Sequence, residues 1–231
     1  MTNDRTPVKT NRAEIDQFLD KVKRTPVRHE GDLARLLFAM DATASREPTW
    51  DRACHLQAMM FEATAEVGNL SIQLAYYRGF KEFHHGSWCA DAASLQQEMT
   101  RVHCLGGYTQ IHRVLEHAMI THRDKRLRAI VFVGDAMEED ADSLCHLAGQ
   151  LGVHGLPLFM FQEGHDPMVR SVFQQMAELS GGAWAPFDIN SASELKDLLS
   201  AVAIYATGGR KALEKLGRQP GVAGLLTQLK R

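Results

Sequence analysis

Three oxygen-bearing side chains at two-residue steps, Asp41, Thr43 and Ser45, directly follow the apolar run from Ala34 to Met40. They place three hard oxygens on one short loop, a donor set that suits Mg²⁺ better than zinc or copper. Asp, Thr and Ser at the end of a strand are also ordinary turn and helix-capping residues, so this pentapeptide alone leaves both readings open. Two positions downstream carry the same kind of chemistry. The glycine loop Cys104-Leu105-Gly106-Gly107 leads to Thr109 at the start of a helical stretch, and the apolar run Leu127 to Val133 ends in Gly134-Asp135. Thr109 also has a plain structural role available, as the N-cap of that helix.

The elements needed to position these residues follow from periodicity. The run ending in Met40 carries no charge except Arg35, which marks a strand buried on both faces at the centre of a parallel sheet. Open α/β sheets hold ligands at the carboxyl ends of their strands, where Asp41 and Asp135 both fall. Leu70 to Tyr76 alternates apolar and polar residues and reads as a half-exposed strand, with a hairpin at Arg78-Gly79 into a short strand over Phe80 to Phe83. Leu156 to Phe161 and Ala183 to Phe187 read as further strands. Helical spacing covers Asn11 to Lys23, Trp50 to Val67, Asp91 to Val102, Thr109 to about Thr121, Asp140 to Leu151, Asp166 to Leu179, and Ser191 to Ala206. The pair His84-His85 reads as surface or loop histidines, since neighbours on a strand point to opposite faces and no third ligand is near. Trp50 is expected to pack beneath the site loop, and Tyr108 and Gln110 to lie near its open face.

Strand and helix patterns alternate from residue 34 to 206 with short connections. The expected fold is therefore α/β: a doubly wound, mostly parallel central sheet with helices on both faces and one antiparallel edge strand. Three loops would then meet at one end of the sheet, carrying Asp41-x-Thr43-x-Ser45, Thr109 and Asp135. This combination resembles the von Willebrand factor type A domain and its metal-ion-dependent adhesion site. The resemblance spans residues 34–206 and fills all five ligand positions. It implies a divalent cation, Mg²⁺ with Mn²⁺ or Ca²⁺ as alternatives, held by Asp41, Thr43, Ser45, Thr109 and Asp135. It further implies an open position for an acidic residue of a protein partner. Two departures stand out: Thr43 replaces the usual serine and keeps its hydroxyl, and Ala136 replaces the glycine that commonly follows the last aspartate.

Composition narrows the function classes. The 231 residues are 45% hydrophobic, enough for one sizeable core. Lys and Arg number 26 against 28 Asp and Glu, which disfavours non-specific nucleic-acid or anionic-membrane binding. Four cysteines lack any C-x-x-C pair and read as reduced thiols, three of them on core faces, of a cytoplasmic protein without a signal peptide or membrane span. Residues 1–33 are expected to form a polar segment and a helix packed on the domain, and 207–231 a helical tail. No nucleophile elbow, P-loop, GxGxxG or zinc signature occurs, so the leading expectation is a binding module rather than an enzyme. Two alternatives stay open: a Mg²⁺-dependent hydrolase or phosphatase with Asp41 as nucleophile, and a metal-free scaffold.

Overall fold

A computed structural model describes residues 33–47, 70–187 and 199–208, with the single positions 16, 17, 20, 50, 197 and 212. The helices expected over 11–23 and 50–67, and the tail beyond 208, lie outside the described residues except at those positions. The strands are β1 (Ala34–Asp41), β2 (Leu70–Arg78), β3 (Glu82–Cys89), β4 (Ala129–Gly134), β5 (Leu158–Glu163) and β6 (Ala183–Phe187). They form one sheet in the order β3-β2-β1-β4-β5-β6, parallel throughout except for the antiparallel edge pair of β2 and β3. The expected fold class is the observed one. Running out from β1 to β2 and β3, then back to β4, β5 and β6, the chain reverses direction across the sheet between β1 and β4. That reversal opens a crevice at the carboxyl ends of these two strands.

Helices α1 (Ala92–Thr100), α2 (Ile111–Asp124), α3 (Ala141–Val153) and α4 (Pro167–Leu179) cover the sheet with residues 199–208, which are also helical. Alternate residues of β1 serve opposite cores. Leu36, Phe38 and Met40 pack with Trp50, α1 and residues 199–206, while Leu37 and Ala39 pack with α2, α3 and α4. This two-sided burial is why β1 reads as an unbroken apolar run. Three helices start on an aspartate: Asp91 accepts from Ser94 N, Asp140 from Ser143 N, and Asp166 from Met168 N and Val169 N, with Pro167 at the first helical position.

Two edge features differ from expectation. β2 is buried on both faces rather than half-exposed, with Ser71 and Gln73 inside. Gln73 can be polar there because it is satisfied: its Nε2 donates to Gly86 O at 3.0 Å, and its Oε1 lies 3.0 Å from His117 Nε2 of α2. The hairpin strand begins at Glu82, not Phe80, since the Gly79 amide and carbonyl bond the loop at 105–108 instead of a β ladder. His84 and His85 therefore lie within β3, both exposed. Trp50 is buried as expected, donating from Nε1 to Met99 O at 3.0 Å. Of the thiols, Cys89 and Cys145 are buried and Cys104 is half-buried, while Cys54 lies outside the described residues.

Candidate metal centre

Asp41 is the last residue of β1 and is fully buried. Such a carboxylate needs fixed donors, because an unpaired buried charge is expensive. Two donors are in place. Thr43 N–H donates to Oδ1 at 2.7 Å, an Asx turn that folds the loop back over the strand end, and the hydroxyl of Tyr77 donates to Oδ2 at 3.1 Å. Tyr77 sits opposite Asp41 in the β1–β2 register and is itself fully buried, its ring 6.3 Å from that of Phe132. The carboxylate is thus clamped from its own loop and from the neighbouring strand.

The loop continues through the single turn Ala44–Arg46, which carries Ser45 out to solvent. Ser45 Oγ donates to Asp135 Oδ2 at 3.1 Å and lies 3.3 Å from Thr43 Oγ1. Asp135 follows β4 directly and is half-buried. Two carboxylates and two hydroxyls from β1 and β4 therefore meet at the crevice between those strands, with Asp41 at its floor and Ser45 at its mouth.

Thr109 joins through a different route. It is buried, but it does not cap α2 as its position suggested. The N-cap is Gln110, whose side chain makes no capping bond. The cap comes from the β4–α3 loop: Glu139 accepts from Ile111 N at 2.6 Å and from His112 N at 2.9 Å, placing an anion on the positive end of the helix. One residue earlier, Glu138 and Thr109 bond reciprocally. Thr109 N donates to Glu138 Oε2, and Glu138 N donates to Thr109 Oγ1, both at 2.9 Å. The hydroxyl of Thr109 is thus turned toward the loop that carries Asp135. Sequence reasoning missed Tyr77, Glu138 and Glu139. Tyr77 was findable by aligning the ends of β1 and β2, and the acidic pair Glu138-Glu139 by its place just after Asp135.

The glycine loop is tied down by its backbone. Leu105 N donates to Ala42 O at 3.0 Å, Gly79 N to Leu105 O at 3.2 Å, and Tyr108 N to Gly79 O at 3.2 Å. At Gly107 a Cβ would stand 1.8 Å from Gly79 O, so this approach admits only glycine. Gln110, expected near a partner, is instead a buried strut: its Nε2 donates to Arg78 O at 3.2 Å and to Gly79 O at 3.4 Å.

Among the described residues no group of three or more His, Cys, Asp or Glu side chains has metal-binding geometry. The donor set at this crevice is of another kind, two carboxylates with the hydroxyls of Thr43 and Ser45, and hard oxygens of that type fit Mg²⁺ or Mn²⁺. A cavity of about 270 Å³ lies at the amino ends of β4 and β5, lined by residues that include His122, Arg126, Arg128 and Tyr205, and it contains neither aspartate.

No family model matches the sequence, and no curated protein matches it. Solved structures do share its fold. The D319A mutant of the PilB minor pilin from Streptococcus sanguinis is 10% identical with a TM-score of 0.60, over 81% of this chain and 63% of that one. The SpRpn10 VWA domain is 14% identical with a TM-score of 0.57, over 73% and 94%. Proximal thread matrix protein 1 from the mussel byssus, with a zinc-occupied MIDAS motif, is 14% identical with a TM-score of 0.62, over 74% and 46%. The chain thus spans nearly all of the SpRpn10 domain but less than two-thirds of the pilin and less than half of the mussel protein.

Proposed function

We propose that this chain, which has the fold of von Willebrand factor type A domains, is a divalent-cation-dependent protein-interaction module. In this reading residues 34–206 form the domain. Asp41, Thr43, Ser45, Thr109 and Asp135 hold Mg²⁺ directly or through waters, and a carboxylate of a partner protein completes the coordination. The observation that carries the reading is the convergence of Asp41, Thr43, Ser45 and Asp135 at the one crevice where the sheet reverses. The bound cation would supply a positive centre to which a partner's acidic side chain coordinates.

Each side chain has a distinct part in that task. Tyr77 and the Thr43 amide keep Asp41 fixed at the floor of the crevice. Ser45 and Asp135, nearer to solvent, face the side from which a partner arrives. Glu138 holds Thr109 against the Asp135 loop, so the three loops keep their spacing before any ligand binds. The set carries only two carboxylates, so it neutralises a divalent cation without making the site anionic, and the ion's open coordination position can still take the carboxylate of an acidic partner.

The hydrolase alternative fits less well. A nucleophilic aspartate needs an accessible oxygen, yet Asp41 is fully buried with Oδ1 and Oδ2 both accepting hydrogen bonds. Lys125, the nearest lysine in sequence before β4, is exposed at the opposite, amino end of that strand.

Mn²⁺ titration of the chain followed by NMR tests the ligand set. Paramagnetic broadening should begin at Asp41, Thr43, Ser45, Thr109 and Asp135 and should vanish in Asp41→Ala. Broadening centred elsewhere, or unchanged by that substitution, would assign the cation to other residues.

A further inference from the structure

The turn beside the candidate metal centre exposes apolar surface in an unusual way. Three of the eight exposed large hydrophobic side chains among the described residues cluster here: Phe80 at 69%, Tyr108 at 58% and Leu105 at 47%. The rings of Phe80 and Tyr108 meet edge to face at 5.4 Å. Leu105 reaches the same turn, its Cδ2 standing 3.3 Å from where a Cβ on Gly79 would be. A monomer gains nothing from showing these groups to water, and contiguous exposed apolar surface commonly marks a contact site.

The cluster is also held rigidly. Gly79 takes a left-handed φ of +58°, and its amide and carbonyl each bond the glycine loop. Gln110 braces the same turn from below. Side chains displayed on fixed backbone lose little further freedom when a partner covers them.

The cluster is continuous with the metal centre. Tyr108 precedes Thr109, and Leu105 N donates to Ala42 O, the residue after Asp41. Its flank is cationic. Arg113, exposed, is aimed by bonds from Nη1 to Lys81 O at 2.7 Å and to Gln110 Oε1 at 3.0 Å, and Lys81 itself is exposed. Among the described residues no carboxylate pairs with either. The nearby acid Glu82 is already matched, its Oε2 accepting from Arg78 Nε at 2.8 Å.

We propose that Phe80, Leu105 and Tyr108, flanked by Lys81 and Arg113, form the docking rim for an acidic protein segment. The carboxylate of that segment reaches the cation, and a large apolar side chain next to it packs on the rim. This rests on the metal-dependent reading and adds the partner's sequence chemistry to it. An isolated carboxylate would leave the aromatic pair in water. A segment combining acid and aromatic character satisfies the cation, the rings and the Lys81/Arg113 flank together, with tyrosine and arginine in the roles they often play at interaction hot spots.

The test uses the full chain in saturating Mg²⁺, titrated by NMR with three blocked peptides: Gly-Ser-Asp-Phe-Ser-Gly, Gly-Ser-Asp-Ser-Ser-Gly and Gly-Ser-Asn-Phe-Ser-Gly. The Asp-Phe peptide should bind about fivefold or more tightly than the Asp-Ser peptide, and the Asn-Phe peptide should be weakest. In Phe80→Ser with Tyr108→Ser that preference should fall to near one, while the rise in melting temperature with Mg²⁺ is unchanged. Tyr108→Phe, which keeps the ring, should preserve the preference. Equal binding of Asp-Phe and Asp-Ser, a preference that survives the double substitution, or no peptide binding by a chain that Mg²⁺ stabilises would each overturn the rim and leave the metal site standing. Absence of any Mg²⁺ response would overturn both.

Discussion

At the scale of single residues, the account turns on how a fully buried carboxylate is kept in place. Tyr77 supplies one of the donors to Asp41, from across the β1–β2 register. Tyr77→Phe keeps the ring packing on Phe132 and removes the hydroxyl. It should lower stability by about 1–3 kcal/mol, the range for leaving a buried acceptor without its donor, and weaken Mg²⁺ binding roughly tenfold, as loss of a supporting partner does. Chemical denaturation and calorimetry read the two effects separately. A second residue-level prediction concerns pH. Burial on the sheet edge, together with neighbouring His85 stacked at 4.4 Å, pushes His117 down from 6.5 to about 4. Its folded value is below its unfolded one, so the unfolded chain takes up a proton that the folded chain refuses as pH falls below 6.5. Stability associated with neutral His117 is therefore full above pH 6.5 and declines until about pH 4. His117→Gln should flatten the melting temperature over that interval, read by thermal denaturation across a pH series; an unchanged slope would place the effect on other groups.

The same scale shows what could be read from the chain. Asp41, Thr43, Ser45 and Asp135 were legible because each follows an apolar strand, and strand ends can be located from composition alone. Tyr77 was hidden because its link to Asp41 runs through the register of two strands, not through nearby sequence. The cap reading of Thr109 failed because Glu139, from a distant loop, does the capping.

At the scale of elements, the site depends on two contacts that hold separate loops together. The first is the approach of Gly107 to Gly79. Gly107→Ala would drive a methyl into a backbone carbonyl, so the loop must move. The expected cost is about 1–3 kcal/mol in denaturant unfolding, with weaker cation binding because Thr109 lies two residues on. Gly106, with nothing within 4 Å of its would-be Cβ, should accept alanine far more readily and serves as the control. The second contact is the capping of α2 by Glu139. Glu139→Ala should cost about 1–2 kcal/mol, in the range for loss of a helix N-cap and its charge. Strand identities at this scale were readable, but their limits were not. Buried strands such as β4 and β5 were placed within about two residues by their apolar runs. The alternating pattern of β2 misled because Gln73 is buried with partners, and the β3 start was displaced because Gly79 gives its backbone bonds to another loop.

At the scale of the whole molecule, one topological fact organises the rest. The sheet reverses between β1 and β4, and this brings residues 94 positions apart in the chain, Asp41 and Asp135, to one crevice. Alternation of strand and helix was enough to expect this fold, since parallel strands require crossovers and crossovers have one hand. No helix among the described residues is long and apolar enough to cross a membrane. The central claim is that the crevice binds a divalent cation through the protein's own side chains. Its most direct test is the melting temperature of EDTA-stripped protein against Mg²⁺ concentration, for the native chain and for Asp41→Ala. The account predicts a rise that grows with the logarithm of Mg²⁺ above saturation in the native chain and is absent from the variant. No rise up to about 10 mM, a concentration above even weak protein sites for hard cations, or an equal rise in both proteins, would contradict it.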